Sequence, residues 1–317
     1  LTHIEHVLKR PDSYVGPVDI SSESYWILNK ARNKFEKKSI NYSPALLKIF
    51  DEILVNAIDR NSVHPKSVTS ISARIDKETG AVTIENNGPL GGIGVRMHEK
   101  EGLWNPELTF GHLLTSTNYD DTKKRVVGGR NGYGAKLTNI YSSEFSIIIK
   151  DHETKQTYSQ KWENNMTVCH QPKITKHSGS TSSVSITFIP DWKRFGMKKM
   201  DASIYKIFEK RVWDANICTT PSCKIKLQGD VLPKTSFEAY AKMHEGINEL
   251  CTFTSDRWTV CIGPSENGLE QVSFVNGICT TKGGTHVDHV TSHIAAGIID
   301  EMAKKIKLRP QQVKNTF

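Results

Sequence analysis

Glycine and lysine are concentrated in one nine-residue run, Gly128-Gly129-Arg130-Asn131-Gly132-Tyr133-Gly134-Ala135-Lys136, just ahead of a stretch that reads as helical. Glycine admits positive φ and lets backbone amides approach a ligand with no Cβ between them. Such a loop feeding a helix start is a cradle for an anion, phosphate first, because free N–H groups and the helix dipole point at it. Two familiar templates fail. Gly129 and Gly134 have P-loop spacing, but Ala135 precedes Lys136 and Leu137 follows it, where a P-loop needs Gly-Lys-Ser/Thr. Gly132-Tyr133-Gly134 lacks the third glycine of a dinucleotide fingerprint. A nucleotide site here belongs to a third class; the plainer alternative is a glycine-rich surface loop.

The element best suited to face such a loop is the helix predicted from Pro44 to Asp59. Leu46, Leu47, Phe50, Ile53, Leu54, Ala57 and Ile58 recur at three- and four-residue spacing and make one broad apolar face. At about 100° per residue, Glu52, Asn56 and Asp59 fall within roughly 60° of one another on the opposite side. A polar stripe of this kind is either the wet side of a helix or the lining of a site. Its shortness, its acid-and-amide character and the apolarity around it favour a lining.

Around these two features the pattern is mixed α/β. Ile71, Ala73 and Ile75 alternate with polar residues, turn at 77–80, and resume at Val82 and Ile84 as a hairpin that ends in a second glycine-rich bend, Asn86 to Gly94. Residues 106–114 read as helix, followed by the hydroxyl-rich Thr115-Ser116-Thr117-Asn118-Tyr119-Asp120-Asp121. Strands are predicted at 145–149, 158–162 and 184–188, and a helix at 202–217 with Asp201 as its N-cap. A short strand at 224–227 follows. Near Thr235 the pattern restarts with a short helix (237–243), strands at 258–262 and 271–275, and a long amphipathic helix opened by Thr280 to His286. That places a domain boundary near 235. The basic run Lys30, Arg32, Lys34, Lys37 and Lys38 reads as a solvated, mobile loop, with a polyanion contact as the sharper alternative.

At 317 residues the chain has ample surface to bury a core. No apolar run approaches the ~20 residues of a membrane span. The six cysteines show no C-x-x-C pair and read as buried free thiols in a reducing compartment. A net charge of +8 suits an anionic partner, nucleic acid first. The opening Leu1 and the lack of a leader read as an excerpt of a longer chain.

Six separated motifs then coincide in order: Phe50 to Ala57, Asn86-Asn87-Gly88, Leu114 to Asp121, Gly128 to Lys136, Phe274-Val275-Asn276-Gly277, and Thr281 to Asp288. Together they closely resemble the ATPase region of eukaryotic-type (type IIA) DNA topoisomerase II, a member of the GHKL superfamily, over essentially the whole chain. The resemblance implies an α/β (α+β) two-layer sandwich of GHKL/Bergerat type over residues 1–235. A smaller α/β transducer domain of ribosomal-protein-S5-like fold would cover residues 236–317. It implies ATP and Mg²⁺ as ligands, with Glu52 as the general base toward the attacking water and Asn56 as the Mg²⁺ ligand. ATP binding would draw on Asn56, Asp59, Asn86, Ser116, Thr117 and Asn118. A lid over the triphosphate would be formed by Gly129, Arg130, Asn131, Gly132, Tyr133, Gly134, Ala135 and Lys136. Further implications are a homodimer closing as an ATP-operated gate, double-stranded DNA as partner, DNA strand passage as output, no membrane and a nuclear location.

The sequence departs from the family in places. Gly88 to Gly94 is two residues longer than the usual N-G-x-G-I-P, Arg60 stands where relatives carry a polar amide, and Thr117 replaces a common serine. The chain ends at Phe317 before the Q-T-K loop whose lysine reaches the γ-phosphate. A chaperone or mismatch-repair ATPase fits the Thr115–Asp121 and Thr281–His286 motifs less well. A binding module without turnover is the alternative of another class. Lys304, Lys305, Lys307 and Arg309 on the last helix are either a DNA-facing stripe or a solvated face.

Overall fold

The computed structural model describes residues 1–88, 93–113 and 132–306. Helix α1 (His3–Lys9) begins with a reciprocal cap: the Thr2 hydroxyl accepts from the Glu5 N–H, and the Glu5 carboxylate accepts from the Thr2 N–H. Strands β1 (Ser21–Asn29) and β2 (Lys34–Tyr42) then pair as an antiparallel hairpin. This corrects the solvated loop expected across the basic run. Tyr25, Ile27, Ile40 and Tyr42 turn inward. The cations stay exposed but pair with carboxylates, Lys30 at 2.8 Å from Glu209, Lys37 at 2.7 Å from Glu270 and Lys38 at 3.1 Å from Glu36.

Helix α2 (Pro44–Val63) extends four residues past its predicted end. The predicted hairpin is β3 (Ser70–Ile75) with β4 (Val82–Asn87). Helices α3 (Asn105–Gly111) and α4 (Gly134–Ile140) lead into β5 (Ser142–Asp151), β6 (Gln156–Glu163), β7 (Val168–Cys169), β8 (Lys173–Lys176) and β9 (Ser183–Pro190). Helix α5 (Ala202–Ile217) is capped by Asp201 as predicted, and β10 (Lys224–Leu227) and β11 (Asp230–Val231) follow.

Strands β3 to β11 form one nine-stranded sheet in the order β11-β10-β3-β4-β9-β5-β6-β7, with β8 also on β6. Among the described residues of this sheet, only the β10–β3 pairing is parallel. Burial alternates strictly along the central strands, so Ile71, Ala73, Val82, Ile84, Phe145, Ile147, Ile186 and Phe188 share one face. Helices α2, α4 and α5 pack on the sheet and on one another. That makes the two-layer sandwich, and each large apolar side chain it covers contributes about 1.5–3 kcal/mol. Phe50 of α2 and Phe208 of α5 stack nearly parallel with centroids 4.1 Å apart.

The remaining elements are α6 (Phe237–Ala241), β12 (Cys251–Thr254) paired with β13 (Thr259–Ile262), β14 (Phe274–Val275) paired with β15 (Ile278–Cys279), and α7 (Thr285–Ile306). The strand predicted over 271–275 shrinks to two residues. The cysteines are free, as expected, but not uniformly buried: Cys223 is buried, whereas Cys169 and Cys251 are exposed. Lys304 pairs with Glu301 at 3.0 Å, while Lys307 and Arg309 lie outside the described residues. No helix among the described residues is long and apolar enough to cross a membrane.

Candidate active site

The site is built on α2. Pro44 fills the first turn, where a missing N–H is harmless, and the Ser43 hydroxyl accepts from the Leu46 N–H. Leu46, Phe50, Ile53, Leu54, Ala57 and Ile58 are buried, which fixes the helix in rotation. Glu52, Asn56 and Asp59 are left half-buried on the remaining face, as the periodicity predicted.

Glu52 is held from two sides. Its Oε1 lies 2.5 Å from the Lys48 ammonium one turn earlier. Its Oε2 lies against the backbone of Gly134, so closely that a Cβ there would sit 1.7 Å from the oxygen. A side chain at 134 would have to push the Glu52 carboxylate aside, so the glycine serves this contact rather than a turn.

Helix α4 is fastened so that this contact is kept. The Thr138 hydroxyl donates to the Ile49 carbonyl of α2 at 2.8 Å, and Asn139 Nδ2 donates to the Phe110 carbonyl of α3 at 3.0 Å. Tyr141, just past the helix, donates its hydroxyl to the Val7 carbonyl of α1 at 2.7 Å. Gly134, Ala135 and Lys136, expected within a lid, form the first turn of this helix, and Ala135 and Lys136 are buried. Burial pushes the Lys136 ammonium down to about 8, since desolvation disfavours the charged form. Tyr133 precedes the helix and meets Tyr14 edge-on at 6.5 Å. Gly132 takes φ +67°.

Asn86 is buried on the inner face of β4, between Ile71 and Val184 on the flanking strands, and its Nδ2 donates to the Asn87 carbonyl at 3.2 Å. The strand ends at Gly88, where φ is +100° and a Cβ would meet the Ser67 carbonyl at 2.8 Å. At the far end of the stripe, burial lowers the pKa of the Arg60 guanidinium while the neighbouring Asp59 opposes the shift. Ser116, Thr117, Asn118, Gly129, Arg130 and Asn131 lie outside the described residues.

Two participants escaped the sequence reading. Lys48 had a usable signal, its four-residue spacing from Glu52. The other, Arg211 of α5, had none: its Nε donates to Asp51 Oδ1 at 2.7 Å across 160 residues of sequence.

A carboxylate lying against a glycine backbone, a desolvated lysine two residues on, and a buried carboxamide on β4 suit a polyphosphate ester bearing a hydrogen-bonding base. The fold agrees with that chemistry. The chain superposes on the crystal structure of the ATPase region of Saccharomyces cerevisiae topoisomerase II with a TM-score of 0.91 and 41% identity. The match covers 99% of this chain and 82% of that one. The chain belongs to the DNA topoisomerase II family. The ATPase and transducer domains of topoisomerase II from Balamuthia mandrillaris match equally well in fold, with a TM-score of 0.91 at 37% identity and the same coverage. DNA topoisomerase 2 of Candida glabrata is 41% identical over 100% of this chain, and that of Arabidopsis thaliana 41% over 99%. The chain spans 24% and 22% of the length of those two topoisomerase II relatives. The family model described as DNA gyrase B matches residues 231–316.

Proposed function

We propose that this chain binds ATP with Mg²⁺ and hydrolyses it, and that hydrolysis serves DNA strand passage by a topoisomerase II dimer. The observation that carries the reading is the Glu52 carboxylate fixed between Lys48 and Gly134. Phosphoryl transfer asks a protein mainly for positioning and charge stabilisation. Glu52 is the group that orients a water and takes its proton as the new P–O bond forms and the bond to ADP breaks. Lys136, in the turn that faces Glu52, supplies positive charge to the phosphates. Asn86 is the acceptor or donor for the adenine edge.

The Asn56 carboxamide oxygen is a hard donor on the half-buried stripe and fits Mg²⁺ held mostly by phosphates and water. The ion, when bound, neutralises phosphate charge. Asp59 and the residues expected at 116–118 and 129–131 complete the pocket in this reading. The division near residue 235 is supported by the gyrase B match, which begins at residue 231. Nuclear location, gate closure by a homodimer and duplex DNA as partner follow from the same family membership.

Glu52→Gln tests the assignment. Nucleotide binding should persist, while turnover falls by about 10²- to 10⁴-fold, the usual range for a lost general base. Turnover within a few-fold of wild type would remove Glu52 from the mechanism.

A further inference from the structure

Asp51 and Glu52 are neighbours on α2 but address different partners. Glu52 reaches Gly134, whereas Asp51 reaches Arg211, which is fully buried. The Arg211 guanidinium has three arms, each on a different element. Nε donates to Asp51 of α2 at 2.7 Å, Nη1 to Asp214 of α5 at 2.9 Å, and Nη2 to the Gly277 carbonyl at 3.4 Å. Asp214 also accepts from Lys210 at 2.6 Å and from the Tyr240 hydroxyl of α6 at 2.5 Å.

Gly277 is the tip of the β14–β15 hairpin. Asn276 at φ +49° and Gly277 at φ +78° make the two-residue connection whose twist suits a tight hairpin. The tip is seated on α2 itself, since a Cβ at Gly277 would meet Ile58 Cγ2 at 2.9 Å. The hairpin therefore touches the site helix twice, directly at Ile58 and through Arg211 at Asp51.

Buried ionic clusters seldom stabilise a fold more than apolar packing of the same volume would. Phe35 and Trp213 already pack in this region as an apolar alternative. What the cluster adds is geometry, because a guanidinium is a planar fork whose donors cannot move independently. A displacement of α2 that carries Asp51 must either move Arg211 and the Gly277 carbonyl with it or break one of the guanidinium's hydrogen bonds.

We propose that Arg211 is a positioning residue that couples the Glu52 helix to the Asn276–Gly277 hairpin tip, so that nucleotide at the site is felt at residues 274–279. The proposal rests on the nucleotide reading above. Its contribution to the reaction is indirect: the hairpin, through Arg211, sets where α2 holds Glu52.

The test uses the protein that carries this chain, with a non-hydrolysable ATP analogue and Mg²⁺ as the probe. Hydrogen–deuterium exchange is followed at 134–141 and at 274–279. In wild type, both segments should gain protection on addition of the analogue. Asp51→Asn removes the charge on the α2 arm. Gly277→Ala leaves every charge in place and dislodges the tip, through strain at positive φ and the Ile58 contact. In both variants protection at 134–141 should remain and protection at 274–279 should be lost. Analogue affinity should stay within about threefold, and turnover should fall about tenfold or more, a coupling of ordinary size.

Retained hairpin protection in Gly277→Ala or in a folded Asp51→Asn protein would reduce the cluster to static glue. Protection at 134–141 alone in wild type would overturn the coupling and leave the nucleotide reading standing. Protection at neither segment in wild type would overturn both.

Discussion

In the proposed mechanism, Gly134 is the residue on which the chemistry turns. It carries no functional group, yet its lack of a Cβ is what lets the Glu52 carboxylate lie where it does. Gly134→Ala should cut turnover by about 10²-fold or more, comparable to losing the general base, because the carboxylate must vacate its place. The thermal midpoint should shift far less, which a melting curve beside a turnover assay would show. Normal turnover in this variant would mean that Glu52 works from another position. Lys136 gives a second prediction. With its ammonium held at about 8, affinity for the nucleotide triphosphate should weaken as pH rises from 7 to 9, since charge is lost through that interval. Bound phosphate favours the charged form, so the midpoint in the complex lies higher than in the free protein. Lys136→Arg should flatten the profile, and a flat wild-type profile would release the lysine from the phosphates. Glu52, Asn56 and Asp59 were legible because a helix period alone puts them on one face. Lys136's burial was not, because nothing local marks a lysine that tertiary packing will cover.

At the scale of elements, the two helices that frame the site were the easiest to read. Both combine a broad apolar stripe with a start signal, Pro44 for α2 and Asp201 for α5. The Asp201 carboxylate accepts from the Ile204 N–H at 2.9 Å, so Asp201→Ala should lower stability by about 1 kcal/mol without touching nucleotide affinity. Phe208→Ala, which removes the ring stacked on Phe50, should cost about 3–5 kcal/mol. Denaturant midpoints measure both, and equal losses for the two would contradict the packing described. The β1–β2 hairpin was misread for a physical reason. Its outward residues are so densely charged that the inward alternation of Tyr25 with Ile27 and Ile40 with Tyr42 was outweighed. The partners that make those charges acceptable, Glu209 and Glu270, lie far along the chain and only folding brings them near.

For the molecule as a whole, stability in acid depends on a residue remote from the chemistry. His244 is buried among Trp26, Phe35 and Tyr240, and its Nε2 has no hydrogen-bond partner among the described residues. Burial, helped by the nearby Lys210 charge, pushes its imidazolium down to about 4. The unfolded chain takes up this proton near pH 6.5 and the folded chain does not. The stability His244 confers is therefore complete above pH 6.5 and is lost as pH falls toward 4, on the order of 3 kcal/mol in all. His244→Phe should remove that part of the acid dependence, as thermal melts between pH 7 and pH 4.5 would reveal. An unchanged slope would assign the acid sensitivity to carboxylates instead. The sandwich itself could be foreseen from strand alternation and the long helices. The junction around His244 and Arg211 could not, because it joins residues from 26 to 279 with no local motif.

The position of Trp26 gives that junction an optical property of its own. Its ring stands edge-on to His244 at 4.9 Å, and Trp213 packs against Phe35 in the same cluster. Trp258, by contrast, is exposed. Because protonated imidazole quenches indole emission, light from Trp26 should dim when His244 charges, and its wavelength should redden only when the cluster opens to water. Because Trp258 also stands beside a histidine, His289 at 6.2 Å, the difference in intensity and colour between wild type and a Trp26→Phe variant is what separates a proton arriving at the junction from the junction coming apart.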